Sequence, residues 1–200
     1  MKYLMVAGHG KYTRGKRSPN LDIGILEWEF NRDVATEIDK KLYTLGIESE
    51  FLNPGPIEIP LKAKVKHINA ESLEQPACLI LIHANAAGKS GWSRASGSRV
   101  FIPKKPKWGN MVKWGRSYLL GDVIDNEFRM NGKIPYHARL MRESGLYMLR
   151  KAKCPVVLVE CGFMTNKVDA AFMASPAGKT EIAESITAGI RKFEENRQER

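Results

Sequence analysis

Three short, unbroken apolar runs punctuate the chain: "KYLMVA" (2–7), "ACLILIHAN" (77–85) and "PVVLVE" (155–160). Their apolar residues fill consecutive rather than alternate positions, the pattern of strands covered on both faces. Elsewhere apolar residues recur every three or four positions. In 25–46, Phe30, Val34, Ile38, Leu42 and Leu45 share one helical face, and Gly46 supplies a stop. Helical spacing also appears in 59–73, 167–173 and 178–198, and 107–124 is partly helical. Shorter runs at 47–53 and 98–103 predict further strands, and 145–152 predicts a short edge strand. The stretch 11–24 is a loop by its Gly, Pro, Asn and Ser content, and 193–200 reads as a frayed tail. Strands alternating with helices predict an α/β fold: a mostly parallel twisted sheet with helices on both faces. The 200 residues contain no long linker or repeat, so 1–200 is expected to form a single domain without a separate wall-binding unit.

In such open sheets, ligands bind at the carboxyl ends of the strands. Here those ends are polar. The first run leads into Gly-His-Gly at His9, the second ends at His83 and the third at Glu160. The first helix begins near the same edge, with Glu27 and Glu29 in its opening turns. Two histidines and a glutamate suit zinc and leave a position for water; a further carboxylate can move the proton. The constellation predicts metal-assisted hydrolysis. Each residue also has a plainer reading. A histidine ending a buried strand is commonly structural, and Glu160 could pair with a core arginine such as Arg150. Cys161 reads as inert packing, and His67 as a surface residue.

Charge changes the picture. The net charge is +10 and the pI about 9.6, and no acidic residue stands between Glu74 and Asp122. That stretch carries Lys104, Lys105 and Lys107 among other cations, interleaved with Trp92, Trp108 and Trp114. Such a surface attracts a polyanion, either a nucleic acid or an anionic cell-wall polymer; its plainer reading is a solvated basic face that serves solubility. No apolar run is long enough to span a bilayer, and "MKYLMVAGHG" lacks the pattern of an export signal, so synthesis in the cytoplasm without a leader is expected. Three cysteines without paired spacing argue against a disulfide scaffold. "HANAAGKS" (83–90) and "GWSRA" (91–95) imitate a phosphate loop and a nucleophile elbow. The first lacks its leading Gly, and the second ends in Ala with no buried strand before it.

"VAGHG" (6–10), "EWEFN" (27–31), "LIHANAAG" (81–88) and "CPVVLVECGFMTN" (154–166) resemble, in order, the four motifs of the zinc-dependent N-acetylmuramoyl-L-alanine amidases with a single α/β catalytic domain. "KVKHIN" (64–69) is similar to the basic helix before the second histidine, and "GWSRASGSRVF" (91–101) to a segment of phage and prophage members. The resemblance covers residues 2 to 173 and departs at Val6-Ala7, where the family usually has Asp-Pro, and at Leu81, where it often has Ser. It implies one Zn²⁺ per chain on His9, Glu27 and His83, with Glu160 as the catalytic carboxylate. Glu27 is chosen over Glu29 because it stands four residues before an Asn; Glu29 points some 200° away on the helix, at about 100° per residue. It further implies hydrolysis of the amide between the lactyl group of N-acetylmuramic acid and L-alanine in peptidoglycan. Asn85, Trp92 and His137 are candidates for substrate contact. The missing leader and the basic charge resemble a phage or prophage lysis enzyme that reaches the wall after release, where anionic wall polymers would hold it; nucleic acid is not an expected partner. Competing expectations are a carboxypeptidase-like zinc hydrolase, and a basic module that binds wall polymer or nucleic acid without catalysis.

Overall fold

The computed structural model describes residues 1–142 and 145–198, without the side chains of 136–142 and 198. Its centre is a six-stranded sheet built from β1 (Lys2–Ala7), β2 (Ser49–Phe51), β3 (Ala77–Asn85), β4 (Ser98–Ile102), β5 (Tyr136–Arg142) and β6 (Val156–Phe163), in the order β2-β1-β3-β6-β4-β5. The three long apolar runs become its adjacent central strands, β1, β3 and β6, all parallel. Only the β4–β6 pairing is antiparallel. The parallel register sets His83 beside Glu160 and Leu81 beside Leu158. Past His83 the β3–β6 register shifts, and Asn85 pairs with Phe163.

Strand residues alternate between two cores. Tyr3, Met5, Ile80, Ile82, Val157 and Val159 pack under α1 (Glu27–Thr44), α3 (Met111–Asn131), α5 (Lys167–Ala174) and α6 (Pro176–Gln198). Leu4, Val6, Leu79, Leu81, Val156 and Leu158 face the other way, against α2 (Leu61–Glu74) and α4 (Tyr147–Lys151). The first core is deep: Phe30, Ile38, Leu42, Ile186 and Phe193 are almost wholly enclosed. The second is thin, because α2 contributes chiefly Val65 and Ile68, and α4 is a helix of one turn.

One sequence expectation changes. Residues 145–152 form α4, not an edge strand. The alternation of Leu146 and Met148 imitates period two, but Met148, Leu149 and Ala152 together bury a helical face on the thin side of the sheet. The stretch 107–124, read as partly helical, holds the start of α3 at Met111, where Asn110 caps the Lys113 N–H at 2.9 Å; the helix runs to Asn131 and is stopped by Gly132 in the left-handed conformation. β5 carries no clear period in the sequence and is recruited by pairing with β4.

Candidate active site

His83 and Glu160 belong to the same alternation as Leu81 and Leu158, so all four side chains stand on the thin face. There they meet a cleft lined by His9, Lys16, Glu27, Asn85, Tyr147 and Met148, with Leu81 and Leu158 as its apolar floor. Glu27 reaches this cleft from the first turn of α1, whose amide enters the helix by donating to Lys16 O at 3.0 Å. The other candidate, Glu29, is exposed.

His9 has φ 58°, the one non-glycine residue with positive φ among the described residues. Such a conformation costs a residue with a β-carbon roughly 1–3 kcal/mol and persists only where its surroundings over-determine it. Here they do: Gly8 O accepts from Asn31 Nδ2 at 3.1 Å, and Gly8 itself lies under the His83 imidazole. A methyl group at position 8 would fall 2.2 Å from the His83 ring, so glycine is required by this close approach. Where the family motif usually has proline, Ala7 keeps an N–H and donates it to Asn53 Oδ1 at 2.9 Å, while Asn53 Nδ2 returns a bond to Ala7 O at 2.7 Å. Proline could not make the first of these bonds.

Donor atoms of His9, Glu27 and His83 all lie within 4.8 Å of one another, the spread of a metal site. The two imidazoles meet edge to face at 5.2 Å. Glu27 Oε1 lies 3.2 Å from His83 Nδ1 and 3.7 Å from His9 Nε2, and accepts from the Ala84 amide at 3.3 Å and from Asn31 Nδ2 at 3.4 Å. Its other oxygen, Oε2, is buried without a hydrogen-bond partner, as is Glu160 Oε2. Two orphaned carboxylate oxygens beside two imidazoles are costly in a protein alone and are what a bound cation would satisfy. The donor set therefore fits a divalent metal.

Charge states agree with that fit. Burial drives the His9 imidazole down to about 4, so it is neutral and keeps a lone pair at neutral pH. Glu27 is pushed up by burial, but the bond from His83 and the charges of His83 and His9 hold its carboxyl below the usual value. Burial and the neighbouring Glu27 raise Glu160 to about 7, against the pull of His83 and Lys16. A carboxyl poised there can both take and give a proton.

The structure thus brings His9, Glu27, His83 and Glu160 to one cleft. No ion pair joins Glu160 to Arg150 among the described residues; Arg150 is exposed on α4. Asn85 lines the cleft, and its Oδ1 accepts from the Ala86 amide at 2.8 Å, shaping the loop after β3. Trp92 is partly buried and stands outside the residues lining the cleft, and the His137 side chain lies outside the described residues. Cys161 is fully buried and its thiol is pushed up by burial, as inert packing requires. Sequence reasoning missed Lys16, Tyr147 and Met148 as residues of the cleft. Lys16 sits in a loop without a period, and Tyr147 and Met148 fall in a stretch that reads as a strand.

The end of β6 is fixed from behind. Asp169 is fully buried and accepts from Gly97 N at 2.7 Å, Phe163 N at 2.9 Å and Ser96 Oγ at 2.7 Å. Asn85 O accepts from the Met164 amide at 2.8 Å, tying the loops after β3 and β6 together. Among the described residues, no helix is long and apolar enough to cross a membrane.

Residues 4–192 match the model of a family described as N-acetylmuramoyl-L-alanine amidase. Among curated proteins, the chain is 26% identical over 182 residues to N-acetylmuramoyl-L-alanine amidase LytC of Bacillus subtilis, covering 91% of this chain and 33% of LytC. It is 25% identical over 187 residues to the uncharacterized protein YqiI of the same organism, covering 94% of this chain and 82% of YqiI. The chain therefore spans most of one relative and a third of the other. Among solved structures, the N-acetylmuramyl-L-alanine amidase Ami1 of Mycobacterium smegmatis superposes with a TM-score of 0.81 at 24% identity, over 98% of this chain and 97% of that one. That likeness establishes the shared fold.

Proposed function

The chain belongs to the N-acetylmuramoyl-L-alanine amidase family, and from that premise we propose that it is a zinc-dependent enzyme that cuts the amide between the lactyl group of N-acetylmuramic acid and L-alanine in peptidoglycan. The observation that carries this reading is the His9–Glu27–His83 donor set, with the orphaned Oε2 of Glu27 in it and that of Glu160 beside it, opening into a cleft. His9, Glu27 and His83 would hold the ion. Bound zinc supplies Lewis acidity, which makes water a nucleophile at neutral pH and polarises an amide carbonyl.

The remaining work belongs to the chain's own groups. Glu160 accepts the proton that the attacking water gives up as its oxygen bonds to the carbonyl carbon. It then delivers that proton to the nitrogen of L-alanine as the carbon–nitrogen bond breaks, leaving a lactyl carboxyl group and a free amine. Leu81 and Leu158 keep bulk water from the floor of the cleft, which strengthens every charge interaction above it. Lys16 supplies positive charge where negative charge develops on the carbonyl oxygen. The acid-free, lysine-rich stretch after Glu74 favours retention on an anionic wall.

Hydrolysis of purified peptidoglycan by the wild type and by Glu160→Gln, with zinc and with chelator, tests the proposal. New L-alanine amino termini without new reducing sugar ends are expected from the zinc-loaded wild type alone. Zinc uptake without release of amino termini would instead favour a peptidase-like hydrolase, and wall binding with no zinc uptake a basic binding module.

A further inference from the structure

His9 has two ring nitrogens, and each faces a different carboxylate. Nε2 lies 3.7 Å from Glu27 Oε1, inside the donor set, whereas Nδ1 lies 3.8 Å from Glu58 Oε1 on the opposite side of the ring. We propose that Glu58 is the positioning residue of this centre: its carboxylate takes the Nδ1–H of His9, fixing the tautomer that leaves the Nε2 lone pair directed at the metal. The inference rests on the zinc reading above and adds a residue to which neither the motifs nor the family match assigns a role.

A neutral imidazole carries one proton on one of two nitrogens, and the acceptor beside the ring decides which. A carboxylate on the outer nitrogen also orients the ring and raises its basicity towards a metal. His9 needs such support, because it lies beyond the end of β1 in a left-handed conformation, where no ladder guides its side chain. Glu58 comes from the loop between β2 and α2, and that loop is clamped onto the Gly-His-Gly segment. The Lys11 amide donates to Pro56 O at 2.9 Å, the Gly10 amide donates to Glu58 Oε2 at 3.3 Å, and the Thr13 hydroxyl donates to the same oxygen. A β-carbon at Gly10 would fall 2.7 Å from the Glu58 backbone nitrogen, so the two segments touch main chain to main chain. With Oε2 held by Gly10 and Thr13, Oε1 is the oxygen presented to His9. Its 3.8 Å separation is longer than a formed hydrogen bond and leaves the carboxylate facing the ring nitrogen. Catalytic contacts of this kind tighten in the working complex.

The test is the zinc affinity of the full chain, read by competition with a chromophoric chelator, for the wild type, Glu58→Gln, Glu58→Asp and His9→Ala. Glu58→Gln keeps the shape and an acceptor for Gly10 and Thr13 but removes the charge. It is expected to bind zinc about 10–100-fold more weakly while the metal-free protein melts at the wild-type temperature. Glu58→Asp should recover part of that affinity, and His9→Ala should lose more than Glu58→Gln. Wild-type zinc affinity in Glu58→Gln would overturn the proposal, as would a weakening matched by a lower metal-free melting temperature. Equal weakness in Glu58→Asp and Glu58→Gln would show that charge is not the cause. A wild-type chain that takes up no zinc would sink the zinc reading itself; normal uptake by wild type beside an unweakened Glu58→Gln sinks only the role of Glu58.

Discussion

The two faces of the sheet divide the labour of this molecule. One face lies under four helices and encloses Phe30, Ile38, Leu42, Ile186 and Phe193 almost completely. The other is covered by α2 and the single turn of α4, and the cleft that holds His9, Glu27, His83 and Glu160 opens on it. Both faces use the same three strands, and neighbouring residues of one strand serve opposite ends: Ile82 and Val159 seal the deep core, while His83 and Glu160 face the cleft. Burial stabilises roughly in proportion to the apolar area removed from water, so the deep face supplies most of the stability. The thin face is left open, and on it the carboxylate oxygens Glu27 Oε2 and Glu160 Oε2 lie without a hydrogen-bond partner, whereas the buried Asp169 of α5 is held by three donors.

The sharpest way to break this comparison is to separate chemistry from stability. Glu160→Gln should lower the turnover number by about 10²–10⁴-fold, the range for removing a general acid–base, with the melting temperature unchanged or raised, since an orphaned buried oxygen is replaced by a neutral amide. Peptidoglycan turnover and a thermal melt, measured side by side, check this. On the deep face, Phe193→Ala should cost about 3–5 kcal/mol in denaturant unfolding and leave zinc affinity intact wherever the protein is folded. If it abolished zinc binding in the folded protein, the two faces would not be independent.

Met148→Ala, on the thin face, is expected to cost about 2 kcal/mol, the low end for its class, because the neighbouring cleft already admits solvent. It should raise KM more than it lowers kcat, since Met148 walls the cleft without touching the donor set. Equal stability losses for Phe193→Ala and Met148→Ala would remove the asymmetry. The smallest effect is assigned to Lys16→Met, about a tenfold fall in kcat/KM or ~1.4 kcal/mol, with zinc affinity unchanged or improved. An unaltered kcat/KM would show that Lys16 is only a lining residue.

The legible parts of the fold were those where local pattern and tertiary demand agree. The runs ending at His9, His83 and Glu160 had to be buried strands by composition alone, and their parallel, adjacent pairing brings the three ends to one edge. Glu27 and Asn31, four positions apart on one helical face, are both buried, and Asn31 bonds Glu27 Oε1 and Gly8 O. Residues 145–152 went the other way. Four or five residues hold too little period to separate strand from helix, and the docking of Leu149 and Ala152 on the thin core decides it. β4 was visible as a strand, but not its antiparallel pairing with β6, which depends on which edge remains open once the central strands have assembled.

By itself, then, the order of residues determined the central strands, the helix bearing Glu27 and the placement of two histidines and a glutamate at strand ends, because burial and hydrogen-bonding periods act over a few neighbours. The tertiary structure alone decided what surrounds them. Glu58 lies 49 positions from His9 in the chain and faces its outer nitrogen only because the loop after β2 is clamped onto Gly10. Lys16 enters the cleft through a loop with no period, and α4 is a helix because the thin core has room for one. Contacts of that kind depend on how separate segments meet in space, and no local pattern encodes the meeting.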